Sequence, residues 1–200
     1  FWLRHLHNWH WISSAICLIA MMLFAITGFT LNHASDIEAK PKVLSQKGQI
    51  PSNLLDELSK LAAKEQSKNT AVPSSVSKWF EQTQQIEIHG KAAEWSPEEV
   101  YVALARPGGD AWLRVSLDNG EFEYELTKRG TIAYLNDLHK GRNTGKAWAW
   151  FIDIFALACL VFCITGLFLL KMHAGTRALT WPMVSLGVVL PLILAILFIH

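Results

Sequence analysis

The 200-residue chain is 51% hydrophobic and only 18% charged, and its formal net charge is +1. This near-neutral balance excludes binding of nucleic acid through a strongly basic surface. The charges are also unevenly placed, because all but three of the 18 Lys and Arg and all but one of the 17 Asp and Glu fall between Asp36 and Lys146. The pattern predicts a soluble domain inserted between segments that lie in a lipid bilayer.

Three apolar runs predict membrane-spanning helices, at about Trp9–Leu31, Ala147–Leu170 and Pro182–Ile199. Each has enough residues to cross a hydrocarbon core of about 30 Å, and tryptophans mark the ends of the runs as an aromatic belt would. The corresponding division is a cytoplasmic stub with the first helix over 1–33, a periplasmic domain over 34–146, the second helix over 147–173, and a cytoplasmic loop with the third helix over 174–200.

The charges near the spans bear on the orientation of the chain. Arg4 and the short loop from Lys171 to Arg177 carry basic residues, which favours a cytoplasmic location for both segments. Three further basic residues flank the second span on the opposite side, but a long loop is translocated largely regardless of its charge. We therefore expect a multi-pass protein of the bacterial inner membrane whose large loop is periplasmic.

The large loop predicts an α+β domain, a helix beside an antiparallel meander. Leucines at helical spacing predict a helix from Pro51 to about Lys68, with Ser52 as its N-cap. The stretch 73–86 is ambiguous. After residue 99 the apolar period changes to two, and turn sequences separate predicted strands at 100–105, 111–117 and 121–127.

The soluble domain carries no recognisable catalytic motif, since its sequence has no nucleophile elbow, P-loop or dinucleotide fingerprint. Glu121, Glu123 and Glu125 share one face of the last predicted strand, a pattern more typical of a solvated face than of a metal site. The chemistry is therefore expected in the histidines.

Seven of the eight histidines lie at predicted ends of the membrane spans: His5, His7, His10, His33, His139, His173 and His200. One histidine at a membrane boundary is more often an interfacial anchor, but ionisable residues beside spans are usually functional. Two imidazoles from two helices are what an axially ligated haem requires. Zinc or copper would also accept imidazoles, but the spans lack the carboxylate and thiolate partners that usually complete such sites. From His7 to His33 a helix rises roughly 39 Å, so separate sites at the two membrane faces are expected.

An internal repeat relates the first two spans. Ala25–Phe29 (AITGF) matches Cys163–Leu167 (CITGL), and each span is associated with a histidine and a pair of tryptophans. Because the two spans cross the membrane in opposite directions, the repeat would be inverted. Gly28 and Gly166 would permit the close approach of a flat macrocycle, or alternatively the close packing of two helices.

Several segments resemble the PepSY-associated transmembrane family: Leu6–Trp9, Ile26–Gly28 with Leu31–His33, Leu138–Gly141, and Trp150–Asp153 through Ile164–Leu167. The order of the parts is similar as well, and the α+β loop suits a PepSY-like periplasmic domain. The three-span layout is similar to the short, VciB-like branch, whose members promote ferrous iron uptake. Larger FoxB-like relatives are ferrisiderophore reductases that carry b-type haem on span histidines.

The resemblance implies haem b, one or two per protomer, held by His7, His33 and His139, with His173 and His10 as further ligands. We expect one haem iron between His33 and His139 at the outer face and another at the inner face, between His7 and His173 or His10. The sequence has no Cys-x-x-Cys-His motif for covalent attachment, so the haem would be extractable. Because the chain has fewer spans than the larger reductases, we expect a homodimer.

The leading hypothesis is an electron-transfer protein that reduces ferric iron or a ferric chelate outside the membrane and so supplies a ferrous iron transporter. The sequence has no flavin or nicotinamide motif, so a quinol or a separate reductase is the expected electron donor. One alternative is a non-redox protein whose PepSY-like loop binds a ligand or masks a protease. The other is an iron-transport accessory subunit.

Overall fold

The computed structural model describes residues 1–37, 40–64 and 70–199. The chain divides into two compact units, one of residues 1–23 and 151–200 and the other of residues 24–150. The helices are α1 (Trp2–Asn32), α2 (Ser52–Ala62), α3 (Ser74–Trp79), α4 (Thr131–Lys140), α5 (Gly145–His173) and α6 (Thr180–Phe198). The strands are β1 (Lys42–Gln49), β2 (Thr70–Ala71), β3 (Ala92–Trp95), β4 (Glu99–Ala103), β5 (Gly109–Ser116) and β6 (Glu121–Lys128).

Helices α1, α5 and α6 are long and apolar enough to cross a membrane, with 31, 29 and 19 residues. The three predicted spans are therefore confirmed, and the chain is a multi-pass membrane protein. Helix α1 begins several residues before its predicted span, since a helix can continue past the hydrocarbon core into the headgroup region. No residue of α6 is buried within the chain, so its apolar surface is free to face lipid.

The soluble domain is built on a six-stranded antiparallel sheet with the strand order β1-β6-β5-β4-β3-β2. The predicted meander is confirmed as β4, β5 and β6, each within two residues of its expected bounds. The sequence pattern does not predict strands β1, β2 and β3. Strand β1 lies at the edge of the sheet and exposes most of its residues, so it lacks the alternation of apolar and polar side chains that predicts a strand.

Two local predictions need correction. Ser52 is not the N-cap of α2, because Pro51 holds that position and its carbonyl accepts hydrogen bonds from the backbone of Leu54 and Leu55. The fixed φ of proline prepares this helix start without a side-chain cap. Helix α2 ends at Ala62, and residues 65–68 of the predicted helix lie outside the described residues. The ambiguous stretch 73–86 contains α3 and a π-helical turn over 80–84.

The core of the soluble domain lies between one face of the sheet and the helices α2 and α3 with the π-helical turn. Phe80 and Phe122 pack edge to face with ring centroids 5.1 Å apart, and both are fully buried beside Leu58 of α2. Gly48 pairs with Phe122 across β1 and β6. A Cβ at Gly48 would lie 2.6 Å from Cε1 of Phe122, so the edge strand needs glycine to cover this ring.

The opposite face of the sheet is charged and solvated. Glu123 on β6 forms ion pairs with Lys47 on β1, at 2.8 Å, and with Arg114 on β5, at 2.9 Å. The hydrogen bond from Lys47, helped by the one from Arg114, lowers the pKa of the Glu123 carboxyl. The middle glutamate of the three on this face therefore connects side chains of three neighbouring strands.

Replacing Glu123 with Gln should lower the melting temperature of the protein by on the order of 1–3 °C at neutral pH. Because the pKa of Glu123 is lowered on folding, the stabilisation is present above the ordinary pKa of a glutamate and is lost as the pH falls through the lowered value. Thermal melts of the variant and the wild type should therefore converge in acid. Glu121→Gln on the same strand is the control, and an equal effect there would contradict this account.

Candidate functional site

His139, in the last turn of α4, rests against α1 within the unit of residues 24–150. Its Nδ1 lies 2.7 Å from Oγ1 of Thr27, and its ring packs on Phe24 with centroids 5.0 Å apart. The Thr27 hydroxyl is also within hydrogen-bond distance of the carbonyl of Phe24, at 3.1 Å. With its proton directed to that carbonyl, the oxygen of Thr27 accepts from the imidazole, and on this basis we assign the proton of His139 to Nδ1.

Helix α4 is held in place by the sheet of the soluble domain. The buried carboxylate of Asp137 accepts a hydrogen bond from the backbone of Gly108 in the β4–β5 turn, at 2.8 Å, and lies 3.6 Å from Arg129. Gly108 has a φ of +70°, and a Cβ there would meet Tyr134 of α4 at 2.6 Å, so only glycine allows this contact.

Two further contacts connect α4 with the helices on either side of the soluble domain. The hydroxyl of Thr30 on α1 donates to Oδ1 of Asn136, at 2.9 Å, and the indole of Trp148 on α5 donates to the carbonyl of Leu138, at 2.9 Å. The position of His139 is therefore fixed by the soluble domain as well as by α1.

His10 of α1 makes with α5 the same kinds of contact that His139 makes with α1. These contacts lie within the unit of residues 1–23 and 151–200. Its Nδ1 lies 3.0 Å from Oγ1 of Thr165, and its ring stacks on Phe162 with centroids 4.8 Å apart. The Thr165 hydroxyl donates to the carbonyls of Val161 and Phe162, at 2.7 and 3.1 Å. The oxygen of the buried Thr165 is therefore left to accept from the N–H of His10.

The repeat seen in the sequence is thus a repeat of contacts. In both copies the segment Phe-x-x-Thr-Gly surrounds one histidine, and we call each copy a histidine cradle: Phe24, Thr27 and Gly28 around His139, and Phe162, Thr165 and Gly166 around His10. A Cβ on Gly28 or Gly166 would lie 3.4 or 3.3 Å from Cε1 of the histidine. The glycines therefore make room for an imidazole ring of another helix.

The other three candidate histidines donate to their own helices. Nδ1 of His7, His33 and His173 lies 2.8, 3.0 and 2.8 Å from the carbonyl oxygen four residues earlier. A carbonyl can only accept, so the proton again lies on Nδ1. The rings of His7 and His173 contact each other, with centroids 6.4 Å apart and planes at 89°.

All five predicted ligands therefore leave Nε2 with a free lone pair, and this nitrogen is the one that can bind a metal. Metal-binding histidines typically donate their other ring N–H to an oxygen, which fixes the tautomer and the orientation of the ring. Of the remaining histidines within the described ranges, neither His5 nor His89 has a hydrogen bond at a ring nitrogen, and His200 lies outside the described residues.

The centroid distance of 6.4 Å between His7 and His173 is close to the separation of two imidazoles on one iron. With metal–nitrogen bonds of about 2.0–2.1 Å and roughly 1.1 Å from each nitrogen to its ring centre, two such rings lie about 6 Å apart between centres. Whether His173 or His10 is the partner of His7 stays a prediction. Across residues 1–37, 40–64 and 70–199, no three or more His, Cys, Asp or Glu come together as metal ligands. A tetrahedral metal ion usually takes three or four protein ligands, whereas an axially ligated haem takes at most two.

The predicted outer pair has a different geometry. The ring of His33 lies 4.5 Å from that of Phe29, whereas His139 lies in its cradle. The pairing of these two histidines on one iron stays a prediction. In the sequence repeat His7 precedes the first span as His139 precedes the second, but the histidine whose contacts match those of His139 is His10.

Comparison with known proteins assigns the chain to a family. The family model described as PepSY_TM-like matches residues 1–200. The chain belongs to the PepSY_TM-like family. This membership confirms the resemblance to PepSY-associated transmembrane proteins, while assignment of the chain to the VciB-like branch stays a prediction. Searches of curated proteins and of solved structures find no significant match to this PepSY_TM-like protein.

The tautomers of the five histidines can be checked without any cofactor. In ¹⁵N NMR spectra of the cofactor-free protein at alkaline pH, His10 and His139 should carry their proton on Nδ1, since a threonine oxygen accepts it. Free neutral histidine favours the other tautomer, so His89, which has no such bond, is the internal reference. A proton on Nε2 of either cradle histidine would contradict the assignment.

Proposed function

We propose that this chain is an electron-transfer protein of the bacterial inner membrane that carries haem b and reduces ferric iron or a ferric chelate on the periplasmic side. The observation that supports it most is the hydrogen bonding of the five candidate histidines. In each, Nδ1 lies within hydrogen-bond distance of an oxygen, which favours a proton on Nδ1 and would leave Nε2 for a metal. A haem b bound there would supply a one-electron couple within the membrane.

The contacts of His10 and His139 argue against a role as simple membrane anchors. An interfacial histidine presents its ring nitrogens to headgroups and water. In both cradles Nδ1 is instead turned to a threonine of another helix, and an aromatic ring covers the imidazole. These contacts hold the ring in one orientation, which a ligand requires and an anchor does not.

The other parts of the proposal follow from the expected topology. A quinol or a separate reductase would deliver electrons on the cytoplasmic side, near His7 and His173, and ferric iron would be reduced where the soluble domain meets the other membrane face. A ferrous iron transporter would then take up the product. A homodimer is the expected assembly. In this arrangement the soluble domain orients His139 through α4, which gives the PepSY-like region a role in the redox centre.

The purified protein should contain one or two haem b per chain. Two imidazoles give a strong ligand field, so the oxidised haem should be low-spin, and acid-acetone should extract it. Pyridine haemochrome spectra give the count. His10→Ala and His139→Ala should each lower this count, while His89→Ala is the matched control. A colourless protein would contradict the proposal and favour a non-redox binding or accessory role.

Electron supply should depend on the pair His7 and His173. His7→Ala should decrease ferric reduction by substrate-fed membranes about 10–100-fold, while the remaining haem stays reducible by dithionite. His5→Ala is the matched control, because His5 lies at the same helix end and its ring packs edge to face against Phe1. Full ferric reduction by the His7 variant with a physiological donor would show that this pair is not on the electron route.

A further inference from the structure

We propose that Thr27 and Thr165 are equivalent positioning residues, which fix His139 and His10 as Nε2 ligands and lower the reduction potential of the group that each histidine binds. This inference rests on the proposed function, because it concerns histidines as haem ligands. The inference goes beyond the proposed function, because it assigns a role to two hydroxyl groups that do not touch the cofactor.

We assign the proton of each hydroxyl to a carbonyl of its own helix, that of Phe24 for Thr27 and that of Val161 or Phe162 for Thr165. A hydroxyl has one proton and two lone pairs, so each oxygen still accepts. The threonine Oγ1 lies close to an imidazole of another helix, 2.7 Å from Nδ1 of His139 in one case and 3.0 Å from Nδ1 of His10 in the other.

The surroundings of both bonds make them strong determinants of ring orientation. Thr165 is buried, and both Thr27 and His139 are partly buried. In a medium of low dielectric constant an unpaired N–H is unfavourable. Rotation of the imidazole would break this hydrogen bond, so the ring is stabilised in its present orientation. A glycine follows each threonine and allows the ring to approach the helix.

The electronic consequence follows from the direction of the bond. An oxygen that accepts from Nδ1–H increases the basicity of the ring, and a more basic ligand favours ferric over ferrous iron. Each threonine should therefore lower the potential of the haem bound by its histidine. Because the two cradles have the same contacts, the two effects should be of similar size.

The test replaces each hydroxyl by a methyl group of nearly the same volume. Thr27→Val should shift the couple of the haem bound by His139 toward the reduced state by about tenfold in the oxidation equilibrium, or about 59 mV for one electron. Thr165→Val should shift the couple of the haem bound by His10 in the same direction. Redox titrations followed in the visible spectrum measure both. Thr27→Ser and Thr165→Ser keep the hydroxyl and should restore wild-type potentials.

Thr30→Val is the control for a merely structural role. The hydroxyl of Thr30 also connects α1 with α4, but its partners are the Thr27 carbonyl and Asn136 rather than a histidine. This variant should leave both potentials unchanged, even where it lowers stability. Unchanged potentials in both valine variants, or an equal shift in Thr30→Val, would overturn the inference.

The proposed function and this inference fail in different ways. If the wild-type protein holds no haem, the proposed function fails, but ¹⁵N NMR still tests the threonine bonds: Nδ1 protonation should be lost at His139 in Thr27→Val and at His10 in Thr165→Val. If haem is present and potentials and tautomers are unchanged, only the inference fails. Should a valine variant not fold, the wild-type tautomers decide, since a proton on Nε2 would overturn the proposed bond.

Discussion

A hydroxyl group has one proton, and two threonines of the membrane helices lie where they can direct that proton to a carbonyl of their own helix. With this assignment their oxygens accept from a neighbour, and in both cases the neighbour is a histidine of a different helix. This constraint decides which nitrogen of the imidazole remains free. The proposed haem chemistry depends on it, because only a nitrogen without a proton can bind iron.

The second requirement is that the histidine of the soluble domain reaches its threonine. Helix α4 is short and would not be stable alone. It is held by a buried carboxylate, Asp137, that bonds to the turn between β4 and β5, and by a tryptophan, Trp148, at the start of α5. The sheet, whose core includes Phe80 and Phe122, therefore helps to hold the histidine of α4 in its position against α1.

Much of this could be predicted from local patterns. Hydropathy shows the three spans, and an apolar period of two with turn residues shows β4 to β6. Strand β1 could not be predicted, because it is stabilised by pairing with β6, whose residues follow their partners by 72 to 86 positions, rather than by its own sequence. The candidate histidines were visible from their places at the span ends. Their threonine partners lie 112 and 155 residues away in the chain. Which threonine meets which histidine depends on the register between helices, and no local sequence pattern shows that register.

The most direct test of the central claim is a structure of the haem-loaded protein in detergent or nanodiscs, by electron cryomicroscopy at a resolution that shows the axial ligands. The account predicts iron bound through Nε2 of cradle histidines, with Nδ1 of His139 and His10 still within hydrogen-bond distance of Thr27 and Thr165. A haem bound through Nδ1, or at a site without any of the five histidines, would contradict it.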